Sequence, residues 1–199
     1  IRRRLLGDIL DFWVGVPRFA LPIGDRLLDW CRREKERRRV GLLEGNHEFF
    51  VGSSHPDCFS FWAPAEWREG DLLLAHGDRV NRRDVGTLLL RLATKSGLSR
   101  FCFGTLPGGQ RLAWAIKRRF GQLGEARAKL LPEQALRRFA ERRFACGVRR
   151  IFLGHFHREF RYESPGGVCQ VVPAWQRTGQ VVCYDRTADR AELRHWREL

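Results

Sequence analysis

The sequence predicts an α/β protein built as one domain. Three observations carry that prediction. Four short apolar runs each stop at a small residue followed by polar side chains, a long stretch between the third and fourth runs has helical periodicity, and the composition can fill one core. The chain has 199 residues, of which 43% are hydrophobic and 30% charged. A chain of that length buries roughly 70% of its unfolded surface. It is too apolar for a disordered segment, and 8 Pro and 20 Gly are too few for a fibrous or low-complexity one. No apolar run approaches the roughly 18 residues of a membrane span, so the chain reads as soluble.

The elements follow in order. Arg3 to Leu6 is a short run ending in Gly7-Asp8, as for a strand that hands an Asp to the loop at its carboxyl end. From Gly24 to Arg39, Leu27, Leu28, Trp30 and Cys31 sit among charges, the pattern of an amphipathic helix. Val40 to Leu43 is a second strand closed by Glu44-Gly45-Asn46-His47-Glu48. Asp71 to Ala75 is a third, running into His76-Gly77-Asp78, and Arg150 to Leu153 a fourth, running into Gly154-His155-Phe156-His157. Between the last two, residues spaced as Val85, Leu88, Leu89 and Leu92, as Leu112, Ile116 and Phe120, and as Leu136, Phe139, Ala140 and Phe144 predict helices. The segment from about 84 to 131 is therefore expected to be a helical cap inserted into the single domain 1–199. After Arg158 the pattern turns to short β runs at Phe160 to Glu163, Val168 to Val172, Val181 to Asp185 and Glu192 to Trp196, with Ser164-Pro165-Gly166-Gly167 as a turn.

Charge narrows the partners. Lys and Arg number 37, 33 of them Arg, against 23 acidic residues, giving +14. Such a field draws anions: phosphates, nucleic acid or an acidic lipid surface. A GC-rich coding bias explains the same Arg excess without a partner. Six cysteines are scattered with no C-x-x-C pair, as for free thiols in a reducing compartment.

Strand carboxyl ends are where open α/β sheets bind ligands, so the four loops are expected to converge. Gly-Asp alone carries no weight, because it occurs four times; the ordered series G-D, G-N-H-E, H-G-D and G-H-F-H does. Carboxylate, amide oxygen and imidazole form a mixed O/N donor set suited to Mn²⁺, Fe²⁺, Zn²⁺ or Co²⁺. One carboxylate can bridge two cations roughly 3.5–4 Å apart, a spacing that clamps a phosphoryl centre.

These motifs resemble the series of the calcineurin-like metallophosphoesterases: D-x-H, G-D-x-x-D, G-N-H-[DE], a later H, and G-H-x-H. Four of the five are present. The resemblance implies an αββα sandwich and a metal-dependent hydrolase holding two divalent ions, Mn²⁺ first among them. It implies Asp8 as the bridge, Asn46, His76 and His155 completing one ion, and His157 helping to hold the other. His47 would protonate the leaving oxygen. The missing D-x-H is expected upstream of Ile1, on a first strand that this sequence does not include.

Within that family Gly7-Asp8-Ile9-Leu10-Asp11-Phe12-Trp13, His76-Gly77-Asp78 with Arg83-Asp84, and Leu106-Pro107 with Arg111-Leu112-Ala113 resemble the lipid A diphosphatase branch. That branch splits UDP-2,3-diacylglucosamine into UMP and 2,3-diacylglucosamine 1-phosphate. By position, Asp84, Arg91 and Lys117 would touch substrate. The implied partners are a lipid-linked nucleotide and the anionic inner-membrane surface, with the protein cytoplasmic and peripheral on that membrane; no nucleic acid is expected. His47 stands where that branch carries Arg, and Gly121 to Ala126 replaces a Ser/Lys/Asn-rich stretch. Two alternatives therefore stay open: a phosphoesterase acting on nucleotides, nucleic acid or phosphoproteins, and a metal-poor binding module.

Plainer roles exist for the same residues. His155 and His157 could be an edge pair bonding backbone, Asp8 and Asn46 turn residues, and His76 a core histidine. Asp11 and Asp78 read as residues that orient ligands and loops, and His55 and His195 have no motif around them. Leu98, Phe101, Phe103 and Leu106 fit either a chamber for acyl chains or the packing between cap helices.

Overall fold

The computed structural model describes residues 2–80, 95–109, 111–115, 118 and 131–198. Two sheets lie face to face with a helix outside each. The first sheet is all parallel: β1 (Arg2–Leu5), β3 (Arg39–Leu43) and β5 (Phe61–Ala63), with β3 in the middle. The second runs β6 (Glu66–Glu69), β7 (Leu72–Ala75), β8 (Arg150–Leu153), β10 (Gly167–Val171) and β9 (Phe160–Ser164). Its three central strands are parallel and its edges antiparallel.

The period of two along each strand sets the layers. Val40 and Leu42 of β3 pack with Leu28 and Cys31 of α1 (Pro22–Arg37), while Leu43 points the other way. Leu73, Ala75, Ile151 and Leu153 pack under Leu136, Phe139, Ala140 and Phe144 of the helix Glu133–Phe144. Their alternates Leu72, Leu74 and Phe152 meet Leu43 and Phe61 between the sheets. Strands buried on both faces read as continuous apolar runs, which is why β7 (LLLA) and β8 (RIFL) stood out. The architecture is an αββα sandwich. A hairpin of β11 (Gln180–Asp185) and β12 (Arg190–His195) closes one end, and its Val182, Tyr184 and Ala191 extend the inter-sheet core.

Most strand bounds lie one or two residues from the sequence reading, and the shifts of α1 and of the last strand have visible causes. α1 starts at Pro22 rather than Gly24, because Pro fits the first helical position, and stops at Arg37, because Arg38 is extended at φ −157° and ψ 160°. Trp196 belongs to a 3₁₀ turn beyond β12. A two-residue parallel pairing of β2 (Trp13–Val14) with β4 (Glu48–Phe49) was not anticipated; it stitches the loop after β1 to the loop after β3.

Most of the expected cap, including Asp84, Arg91 and Lys117, lies outside the described residues. Its helix Gly97–Thr105 is described, with Ser96 Oγ accepting from Ser99 N at 3.1 Å as its N-cap. Phe103 packs into an aromatic cluster with Phe12, Phe19 and Phe49, whereas Leu98, Phe101 and Leu106 are exposed. Among the described residues no helix is long and apolar enough to cross a membrane.

Candidate metal centre

β1, β3, β7 and β8 end at the same side of the sandwich, and each delivers one polar side chain there. Asn46 Oδ1 lies 3.1 Å from His76 Nε2 and 2.9 Å from His155 Nδ1, and the two ring nitrogens are 3.2 Å apart. Asp8 Oδ2 lies 3.3 Å from His76 Nε2 and 3.9 Å from His155 Nδ1. Donor atoms about 2.1 Å from a tetrahedral cation stand roughly 3.4 Å from one another, so the four atoms have the spacing of a ligand set. Asp8, His76 and His155 form the group of ionisable side chains whose donor atoms fall within 4.8 Å of one another. The donors therefore fit a divalent cation of the N/O-preferring kind.

The surrounding backbone holds these side chains in place. His76 is fully buried, and its Nδ1 donates to the Leu6 carbonyl at 2.7 Å, which leaves Nε2 as the face turned to the cluster. Burial works against a charged His76, but the neighbouring Asp8 carboxylate outweighs it and pushes the imidazole up to about 9. Burial likewise resists charge on Asp8, yet His76 and His155 hold its carboxyl well below the usual range.

Glycine is required where backbone meets ligand. A Cβ on Gly45 would lie 2.7 Å from the Asp8 nitrogen and 2.7 Å from His76 Cε1, and one on Gly7 would lie 2.5 Å from His76 Nδ1. Asp8, His155 and His157 themselves have left-handed backbones, at φ 54°, 67° and 52°. Non-glycine residues are uncommon in that region, Asp, Asn and His less so than others, and surrounding contacts help to hold them there.

Sequence reasoning missed Glu48, which supplies some of those contacts. Its buried Oε2 accepts from Asp8 N at 2.7 Å and Gly45 N at 2.8 Å, and Oε1 accepts from Ile9 N at 2.7 Å. One carboxylate thus ties together the two loops that carry Asp8 and Asn46. Burial and the Asp8 charge push the Glu48 carboxyl up, and the N–H bonds oppose them. The one available signal was its place at the end of G-N-H-E.

The remaining predicted residues are placed as follows. The His47 backbone donates to Asp8 Oδ1 at 3.1 Å, so its side chain starts beside the cluster. His157 is exposed and stands outside the close group, though burial of part of its ring and its neighbours His155 and Arg177 hold its pKa down against the pull of Asp8. Asp78 is buried and its charge acts on His76, while Asp11 is exposed.

An αββα sandwich with an Asp, an Asn and two His converging at its strand ends is the frame of a metal-dependent hydrolase, as the resemblance to the calcineurin-like metallophosphoesterases implied. Within that class the chain is similar to curated UDP-2,3-diacylglucosamine hydrolases. The protein of that name from Azotobacter vinelandii is 28% identical over 198 residues, covering 91% of this chain and 80% of that one. The one from Stutzerimonas stutzeri is 29% identical over 197 residues, with the same 91% and 80% coverage. The one from Pseudomonas putida strain F1 is 28% identical over 166 residues, covering 77% and 67%. No protein-family model matches the chain. A single mutant of Vps29 from Entamoeba histolytica superposes over 96% of this chain and 82% of its own at a TM-score of 0.35 and 13% identity, too loosely to define the fold.

Proposed function

We propose that the chain hydrolyses the phosphoanhydride of UDP-2,3-diacylglucosamine, giving UMP and 2,3-diacylglucosamine 1-phosphate. The observation that carries this reading is the meeting of Asp8, Asn46, His76 and His155 in a chain similar along most of its length to hydrolases named for that substrate. Asp8, Asn46, His76 and His155 would hold one divalent ion, and Asp8 with His157 would contribute to a second; Mn²⁺ suits the donors. When bound, such ions acidify water toward neutrality and offset phosphoryl charge.

The chain's own residues do the rest. The reaction adds water across the P–O–P bridge, so the phosphoryl group gains a hydroxyl and the departing phosphate needs a proton. His47, whose backbone N–H donates to Asp8 Oδ1, would give that proton to the leaving oxygen. Glu48 and the Leu6 carbonyl hold the Asp8 backbone and the His76 ring in place. Asp84, Arg91 and Lys117 would bind the nucleotide and sugar. The +14 charge would hold the protein at the anionic cytoplasmic face of the inner membrane.

Mn²⁺-loaded protein is assayed on the lipid substrate and on bis-p-nitrophenyl phosphate. Release of UMP is expected. Cleavage of the artificial diester alone would point to another phosphoesterase specificity, which His47 in place of Arg favours. Metal binding with neither activity would leave a binding module.

A further inference from the structure

A lysine just ahead of the helix Gly97–Thr105 ends on the loop that carries Asn46. Lys95 precedes the Ser96 N-cap of the helix Gly97–Thr105. Its Nζ donates to the Gly45 carbonyl at 2.5 Å and lies 3.7 Å from Glu44 Oε2. Both side chains are nearly enclosed, Lys95 at 11% exposure and Glu44 at 4%. Glu44 is held from the other side, its Oε1 accepting from Gly52 N at 2.9 Å. The acceptor of the Lys95 bond is the peptide that joins Gly45 to Asn46, the residue whose side-chain oxygen faces both histidines.

The same helix has a second cationic tether elsewhere. Arg100 donates to Ser54 Oγ at 3.2 Å and to Ser53 Oγ at 3.4 Å, beyond β4. Arg100 therefore holds the cap to the body without touching residues 44–48. The two tethers separate fastening the cap from setting the loop.

We infer that Lys95 is a positioning residue for the metal centre: seated against Gly45 and Glu44, it fixes the peptide that presents Asn46 and so makes divalent-cation affinity depend on how the helix Gly97–Thr105 is docked. An enclosed ammonium on a carbonyl, balanced by a buried carboxylate, holds that peptide plane more firmly than a neutral bond would. Losing a group that orients a ligand lowers metal affinity about 10- to 100-fold.

This inference rests on the metal-dependent reading above, and the experiment keeps the two apart by using Mn²⁺ alone. Isothermal titration of the full chain with Mn²⁺ compares wild type, Lys95→Met and Arg100→Met, with circular dichroism reporting the fold. The Kd of Lys95→Met is expected to rise at least about tenfold and that of Arg100→Met to stay within about threefold. Saturating Mn²⁺ should then restore kcat of Lys95→Met without a change in KM. Equal weakening in both variants would mean that Lys95 only fastens the cap, and wild-type affinity in Lys95→Met would mean that it positions nothing; either overturns the inference. If Lys95→Met does not fold, the charge-balanced pair Lys95→Met with Glu44→Gln replaces it, with the same tenfold loss expected and unchanged affinity refuting. Failure of wild type to bind Mn²⁺ would take down both readings.

Discussion

Replacing Glu48 by glutamine changes one oxygen to an amide nitrogen and removes one charge, and the consequence can be worked from its three bonds. Oε2 receives two N–H groups and Oε1 receives one. With the amide oxygen in the Oε2 place, Asp8 N and Gly45 N keep an acceptor, now neutral, and Ile9 N faces an NH₂ group. The orphaned buried donor costs about 1–3 kcal/mol, and neutralising the acceptor for the other two costs about 1 kcal/mol each. Relief of burying a carboxylate next to Asp8 returns part of that cost. The three bonds together lose about 3–5 kcal/mol, and after that relief a net loss of at least about 1 kcal/mol is expected, read by urea denaturation of the metal-free Glu48→Gln variant against wild type. Mn²⁺ affinity should fall with it, since both ligand loops lose their common anchor. A stability change under about 0.5 kcal/mol, the ordinary size of a surface substitution, would refute the assignment of Glu48 as the tie between the loops.

Other outcomes follow from the same geometry. His155→Ala and Asn46→Ala should lose Mn²⁺ binding and turnover together, whereas His47→Ala should bind Mn²⁺ normally and lose about 10²- to 10⁴-fold in kcat, as measured by titration and steady-state kinetics. Gly45→Ala puts a methyl 2.7 Å from His76 Cε1, so a loss of about 1–3 kcal/mol in thermal or urea unfolding is expected. Burial pushes the thiols of Cys31 and Cys169 up to about 12 and that of Cys58 up to about 11, while Cys146 is exposed. Ellman's reagent at pH 8 should therefore label Cys146 in the native protein and reach those three only on unfolding; rapid native labelling of Cys169 would contradict the packing under the helix Glu133–Phe144.

The strands that carry the site were readable in the sequence because they are buried on both faces: Val40 to Leu43, Asp71 to Ala75 and Arg150 to Leu153 are apolar runs that stop at a glycine or a polar residue. β5 and β6 were not. Phe61–Ala63 is three residues wedged between turns, and Glu66–Glu69 is an edge strand whose polar residues mask its alternation. The convergence of Asp8, Asn46, His76 and His155 followed from motif order plus the rule for strand carboxyl ends. Glu48 reaching back 40 residues to Asp8, and Lys95 reaching 50 residues to Gly45, are contacts between distant stretches that no local pattern encodes. The left-handed backbones of His155 and His157 were equally invisible, and that of Asp8 was open only as the turn role named for it.

Those three backbones also govern what can replace the residues that adopt them. Asparagine and glycine enter a left-handed conformation at little expense, while valine, isoleucine and threonine are nearly barred from it. At Asp8 an exchange to asparagine would keep the shape of the loop and discard the charge, so drift at this position can silence the chemistry while the fold stays whole.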